Sequence, residues 1–170
     1  MTGCSTGPQD CADAARVSEN RWDEAYIQFQ IDKVGDDRGR GGLPCGWAGS
    51  TTRCPPSSVT AAHQASRAMA AQAQKAACIL DGTDNWEKCG TEAPPPVVAN
   101  AKVGDEGKQR IGRETLASVS EAASAAAKVD ATERGADAPD PALYAVRTAH
   151  VAAAKKATEA ASATCSAMFR

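Results

Sequence analysis

Alanine dominates the apolar residues of this chain and limits the kind of core that the chain can build. Of the 170 residues, 37 are alanine, whereas leucine, isoleucine, valine and phenylalanine together account for 20. Burial of apolar surface stabilises a fold by about 25 cal/mol per Å², and alanine has little surface to bury. A thick hydrophobic core is therefore excluded, and we expect disulfide bonds or a partner surface to add stability. Alanine also has the highest helix propensity, which favours helices.

Four stretches with helical periodicity and start or stop signals predict four helices. They are expected at residues 10–34, 57–81, 108–134 and 141–168, with long loops at 35–56 and 82–107. The strongest start signal is Asp140 followed by Pro141, because proline suits the first helical position. Asp10 is available as the N-cap of the first helix, and Gly135 is placed to end the third.

Residues 26–34 allow two interpretations. Ile27, Phe29 and Ile31 alternate with glutamines, which is the period of a strand. Trp22 and Phe29, however, belong to a pattern of three-residue and four-residue spacings. Helix is favoured because no second strand is evident for this segment to pair with.

Side chains spaced three and four residues apart predict the face that each helix buries. The predicted positions are Trp22, Ala25, Tyr26 and Phe29; Val59, Ala62, Ser66, Met69, Ala73, Ala76 and Leu80; Leu116, Val119, Ala123 and Ala126; and Val146, His150, Ala153, Ala157 and Ala160. Helices of this length joined in series predict an all-α fold, an Ala-rich antiparallel four-helix bundle with long disulfide-closed loops. The length of the chain, residues 1–170, is that of a single helical domain.

Six of the seven cysteines can be paired by this topology. With four antiparallel helices, the start of the first and the end of the fourth lie at the same end of the bundle, which brings Cys11 near Cys165. Two further pairs each bracket a short polar loop. The predicted bridges are Cys11–Cys165, Cys45–Cys54 and Cys78–Cys89, one of several connectivities that six cysteines allow. The alternative is a reduced protein whose cysteines are small buried apolar residues.

Cys4 has no partner in this scheme. Residues 2–5 resemble the end of a bacterial lipobox, so Cys4 is a candidate for lipid attachment or an intermolecular bridge; the alternative is a cysteine in a frayed terminus. Disulfides indicate an oxidising environment, either extracytoplasmic, at the cell surface or in an organellar lumen. The sequence predicts no transmembrane segment and no targeting segment within this chain. Membrane association would then require a partner or a lipid on Cys4.

No motif in the chain identifies a catalytic, cofactor-binding or metal site. The cysteine spacings differ from those of zinc modules, and His63 and His150 lie far apart on alanine-rich faces. The glycine-rich stretch 35–49 lacks the spacing of a phosphate-binding loop. The net charge of −2 and the pI of about 5.7 argue against nucleic-acid binding. We therefore predict no catalytic residue, no metal, no cofactor and no nucleic-acid partner.

Two tryptophans beside cysteines are candidate contact residues. Trp47 lies near Cys45, and Trp86 lies near Cys89. A rigid ring held in a disulfide-closed loop loses little entropy on binding, which suits an interface. The alternative is that each ring covers one end of the bundle.

The sequence favours a non-catalytic structural or interaction protein that is extracytoplasmic or lumenal. Such a protein would be an accessory subunit or a surface component of a larger assembly, with a protein partner. The alternative is a small secreted enzyme or ligand carrier with a site between the helices. A pocket lined by His63 or His150 beside a carboxylate would favour the enzyme, and an exposed apolar patch would favour the partner.

Overall fold

A computed structural model describes residues 7–36, 55–82, 85–90, 102–130 and 141–169. These residues form four helices, α1 (Pro8–Asp36), α2 (Ser57–Asp81), α3 (Asp105–Ala127) and α4 (Pro141–Phe169). Over the described ranges no strand forms, and a single isolated bridge pairs Asn85 with Lys102. The all-α prediction is confirmed, and residues 26–34 are helical because α1 continues through them.

The four helices pack in a ring in which sequence neighbours run antiparallel. α1 contacts α2 and α4, and α3 contacts the same two helices. The backbone N–H of Gln9, at the start of α1, lies 3.3 Å from the carboxylate of Asp81, at the end of α2. A disulfide joins Cys11 to Cys165, at the end of α4. The bridged pole is our name for the end of the bundle where α1 and α3 begin and α2 and α4 end.

The core of the bundle is a seam of mostly small side chains. Three helices bury residues at alternating spacings of four and three, as in a coiled coil. The buried positions are Cys11, Ala15, Ser18, Trp22, Ala25 and Phe29 in α1; Val59, Ala62, Ser66, Met69, Ala73 and Ala76 in α2; and Arg147, Val151, Ala154, Thr158, Ala161 and Cys165 in α4. The predicted seams of α1 and α2 agree with these positions except at Tyr26 and Leu80, which are partly buried.

The buried face of α4 lies one residue away from the predicted face. Val146, predicted to face the core, is 45% exposed, whereas Arg147 is 4% exposed. The Arg147 guanidinium carbon lies 4.6 Å from the centroid of the Phe29 ring of α1. A cation over an aromatic face is stabilised by the ring quadrupole. Apolar periodicity does not reveal such a position, because it selects Val146 over its charged neighbour.

The end of α3 also differs from the prediction of 108–134. The helix ends at Ala127, and the N–H groups of Lys128 and Val129 bond to carbonyls three residues earlier, at 3.3 and 3.2 Å. These shorter-range bonds tighten the last turn. The Val129 side chain is buried, and its carbonyl accepts a 2.6 Å hydrogen bond from Lys155 Nζ of α4. Contacts with α4 therefore stabilise the non-helical conformation of the chain at Val129.

The helix starts at the bridged pole precede the predicted ones by two or three residues. The N–H of Gly7 donates to the carboxylate of Asp10 at 2.9 Å, so Asp10 lies inside α1 and reaches back to the residue before the helix. Pro8 takes the first helical position, which suits proline. α3 begins with Asp105 and Glu106, whose charges interact favourably with the helix dipole.

Candidate functional site

The disulfide between Cys11 and Cys165 lies in the core at the bridged pole. The two Cα atoms are 4.6 Å apart, and both side chains are 0% exposed. The same cluster of buried residues includes Met69 from α2 and Val119 from α3. The bridge joins residues 154 positions apart and confirms the predicted pairing. It therefore holds α1 to α4 from within the packed interior.

A second disulfide joins the last turn of α2 to the following turn. Cys78 and Cys89 have Cα atoms 5.7 Å apart, and both side chains are partly buried. This pairing is also confirmed. The predicted Cys45–Cys54 bridge, the candidate attachment at Cys4 and the candidate contact at Trp47 lie outside the described residues, so they stay predictions.

Trp86, a candidate contact residue, is buried in the core of the bundle. Its side chain is 4% exposed and packs with Ile79 of α2 and Ile111 of α3. The Arg110 guanidinium carbon lies 4.9 Å from the centroid of the ring. The polar loop around Trp86 suggested exposure, but the Cys78–Cys89 bridge fixes this loop to α2. The ring therefore covers the end of the bundle, the second of the two interpretations of this residue.

A glycine on α3 permits the close approach of the Trp86 ring. A Cβ atom on Gly107 would lie 2.7 Å from the Cζ2 atom of Trp86 and 3.0 Å from the Cγ1 atom of Val103. Side chains essentially never approach to 2.7 Å, because packed atoms repel at that distance. Glycine at position 107 of α3 thus leaves room for the Trp86 ring.

A chain of buried hydroxyl groups crosses the core between α1, α2 and α4. Ser18 Oγ lies 2.8 Å from both Ser66 Oγ and Thr158 Oγ1. Trp22 Nε1 donates to Thr158 Oγ1 at 2.9 Å. All four side chains are buried, so each of these groups depends on the others for its hydrogen bonds.

The donor and acceptor of each hydrogen bond follow from the fact that each hydroxyl has one hydrogen to donate. Thr158 Oγ1 donates its one hydrogen to the carbonyl of Ala154 at 2.9 Å, so it accepts from both Trp22 and Ser18. Ser18 then has no hydrogen left for Ser66, and Ser66 must donate to Ser18. Each of these three hydroxyl groups then donates one hydrogen bond, and the network links α1, α2 and α4 through the core. Sequence reasoning missed this network, although Ser66 lay on the predicted seam of α2.

The two histidines pair with neighbouring carboxylates of α1. His63 Nε2 of α2 contacts Asp23 Oδ1, and the His63 ring stacks on Tyr26 with centroids 4.8 Å apart. On the other side of α1, His150 Nδ1 of α4 lies 3.8 Å from Glu24 Oε2. Where the chain is described, no three metal-binding side chains lie together. The histidines therefore connect α1 to its neighbours.

Among the described residues, clefts lie along three of the helix interfaces. The first, of about 460 Å³, lies between α3 and α4; the second, of about 740 Å³, between α2 and α3; and the third, of about 270 Å³, between α1 and α2. Alanine and serine provide most of the lining of the first two. Neither His63 nor His150 lines any of these three clefts.

Comparison with other proteins gives no further assignment. No protein-family model, curated protein or solved structure gives a significant match to this chain. Among the described helices, none combines the length and the apolar character needed to cross a bilayer. The two disulfides are compatible with an extracytoplasmic location.

Proposed function

We propose that this chain is a non-catalytic structural or interaction protein of an extracytoplasmic or lumenal compartment. In this proposal it is an accessory subunit or a surface component of a larger assembly. The observation that carries the proposal is the fully buried Cys11–Cys165 bridge within a core in which alanine is the commonest residue. Bridges of this kind persist in oxidising compartments, whereas cytosolic thiols are kept reduced.

The energetics of the bridge support an oxidising compartment. A bridge between residues 154 positions apart lowers the conformational entropy of the unfolded chain. In the chain-entropy model this stabilises the folded state by at most about 5 kcal/mol. The net stability of a domain is only about 5–15 kcal/mol. A bundle whose commonest buried residue is alanine thus relies on its oxidised state for a large share of its stability.

Two exposed apolar side chains, one on α1 and one on α4, support a role in contact with another protein. Ile27 is 51% exposed and Val146 is 45% exposed. Glu24 and His150 meet across α1 and α4, and one turn nearer the opposite pole these two helices carry Ile27 and Val146. Both side chains are about half exposed, and they lie on helices that pack against each other. Exposed apolar side chains are candidate positions for contact with a partner.

The second candidate, a small secreted enzyme or ligand carrier, predicted a pocket lined by His63 or His150. Each histidine does have a carboxylate beside it, but the three clefts described above are lined by other residues. No observation on the described residues favours this candidate over the first.

Non-reducing peptide mapping of the natively purified protein tests the proposal. Free thiols are alkylated before digestion, and a reduced aliquot is the control. We expect linked peptides containing Cys11–Cys165 and Cys78–Cys89, together with a co-purifying partner. Seven free thiols in a monomeric cytosolic protein would refute the proposal.

The two exposed apolar side chains give a separate test of the contact surface. Ile27→Lys and Val146→Lys should each weaken partner co-purification, because a charge would be buried in the interface. Val17→Lys is the matched control, since Val17 is 50% exposed and lies nearly three turns away on α1. Equal co-purification by all three variants would show that the partner binds elsewhere.

A further inference from the structure

The two described disulfides differ in their access to solvent. Cys11 and Cys165 are 0% exposed within the four-helix core. Cys78 and Cys89 are only partly buried. Cys78 also lines the open cleft of about 270 Å³ between α1 and α2. A small thiol can therefore approach the second bridge in the folded protein, whereas the first bridge is reached only after the core opens.

The accessible bridge is also the one that holds Trp86 over the bridged pole. The turn 85–90 carries Trp86 and ends beside Cys89. Under the ring lie Ile79 and Ile111, both of which are fully buried. Movement of this turn away from α2 would therefore expose apolar surface at one end of the bundle.

We propose that the Cys78–Cys89 disulfide is a redox-sensitive conformational device. A dithiol reduces this bridge while Cys11–Cys165 stays oxidised, and the reduced chain releases the Trp86 turn from the pole. The inference stands on solvent access and packing, so it does not depend on the proposed function. It assigns the two disulfides to different roles, a permanent core bridge and a reducible one.

The exchange reaction balances with a dithiol as the reductant. A thiolate of the dithiol attacks one sulfur of the bridge, and the other protein sulfur leaves as a thiolate. The second thiol of the reagent then attacks the mixed disulfide and releases the remaining protein sulfur. The products are two protein thiols, Cys78 and Cys89, and a cyclic disulfide of the reagent. Two electrons pass to the protein, and the two protons come from the dithiol.

The first experiment is a time course of limited reduction by dithiothreitol. Samples of the folded protein are quenched by alkylation, and the free thiols are located by peptide mass spectrometry. We expect Cys78 and Cys89 to be labelled about 100-fold faster than Cys11 and Cys165, because reduction of a buried bridge waits for a rare opening. Equal labelling rates, or earlier labelling of the buried pair, would overturn the proposal.

The second experiment measures opening of the turn by amide hydrogen exchange. The N–H groups of Cys89 and Gly90 bond to the carbonyls of Asn85, at 3.3 Å, and Glu87, at 3.1 Å. Removal of a cross-link over 11 residues raises the open population about 100-fold in the chain-entropy model. These two amides should therefore exchange about 100-fold faster after selective reduction. The amide of Trp22, in the middle of α1, is the control and should not change.

A variant without the bridge provides the same comparison in the absence of a reductant. The Cys78→Ser and Cys89→Ser double substitution should reproduce the faster exchange of the Gly90 amide. If this variant does not fold, selective reduction of the wild-type protein still decides the question. Unchanged exchange at Gly90 in the selectively reduced protein contradicts the proposal. An equal rise at Trp22 also contradicts it, because reduction would then have unfolded the whole bundle.

Discussion

Replacement of Thr158 by valine removes one hydroxyl from the interior and preserves the shape of the side chain. Thr158 Oγ1 is the acceptor for both Trp22 Nε1, at 2.9 Å, and Ser18 Oγ, at 2.8 Å. After the substitution, the buried Ser18 hydroxyl can turn towards a carbonyl of its own helix. The indole N–H of Trp22 is 0% exposed and has no such freedom. One buried donor is therefore left without an acceptor.

The magnitude follows from that single unsatisfied donor. A buried polar group that loses its partner costs about 1–3 kcal/mol, so we expect the free energy of unfolding to fall by about 2 kcal/mol. For a chain of this size, each kcal/mol lowers Tm by about 2–4 °C, which gives a fall of about 4–8 °C. Thr164 offers a matched control on the same helix, because its hydroxyl also donates to the carbonyl four residues earlier, at 2.9 Å. Thr164 is partly exposed, so Thr164→Val should change stability by less than about 0.5 kcal/mol.

The assay is urea and thermal denaturation followed by circular dichroism at a helix wavelength. Thr158→Val is compared with Thr164→Val and with wild type, and then introduced into a Trp22→Phe background. Because phenylalanine has no N–H to leave unpaired, the cost of Thr158→Val should shrink in that background. Equal stability of the two threonine variants would refute the network, and so would an unchanged cost beside phenylalanine.

Three further variants test other contacts. Gly107→Ala places a methyl group 2.7 Å from the Trp86 ring, and overpacking should cost about 1–3 kcal/mol, offset by up to about 1 kcal/mol of helix propensity. A variant more stable than wild type in urea would contradict this contact. Replacing Cys11 and Cys165 together by alanine should lower the free energy of unfolding by up to about 5 kcal/mol, again measured in urea. A loss below about 1 kcal/mol would show that the bridge adds little. Lys155→Met removes the amine that donates at 2.6 Å to the carbonyl beyond α3 and should cost about 1 kcal/mol. Amide exchange at the end of α3 should then be faster, and unchanged exchange would show that this hydrogen bond does not stabilise the helix end.

The Cys11–Cys165 bridge was predictable because it depends only on the number and direction of the helices. The position of Cys165 also indicates which face of α4 is buried, whereas the apolar periodicity indicated a neighbouring face. Counting back from Cys165 in steps of four and three residues reaches Thr158 and, further on, Arg147, both of which are buried. Val146 directed the prediction to the neighbouring face because valine is apolar and arginine is charged.

Long-range contacts explain what the sequence did not reveal. Trp86 stands in a polar stretch, and its burial depends on Ile79 and Ile111, which lie on different helices. The end of α3 depends on Lys155, which follows more than twenty residues later. Local propensity and periodicity contain neither contact, because each arises only when the helices are packed. The helices themselves were predictable from local signals such as Pro141 at the start of α4.

The Cys11–Cys165 bridge also makes the chain between these residues a closed covalent circle. The two Cα atoms are 4.6 Å apart and are linked a second time through the backbone, over a sequence separation of 154. A protease that cuts any one connection between helices opens the circle but releases no fragment, because the two pieces stay joined through sulfur. Two cuts, one on each side of α2 or of α3, are needed to release a helix, whereas α1 and α4 stay joined to each other through their bridge. The bundle is therefore expected to withstand a single nick as one molecule, a property suited to a compartment where proteases are present.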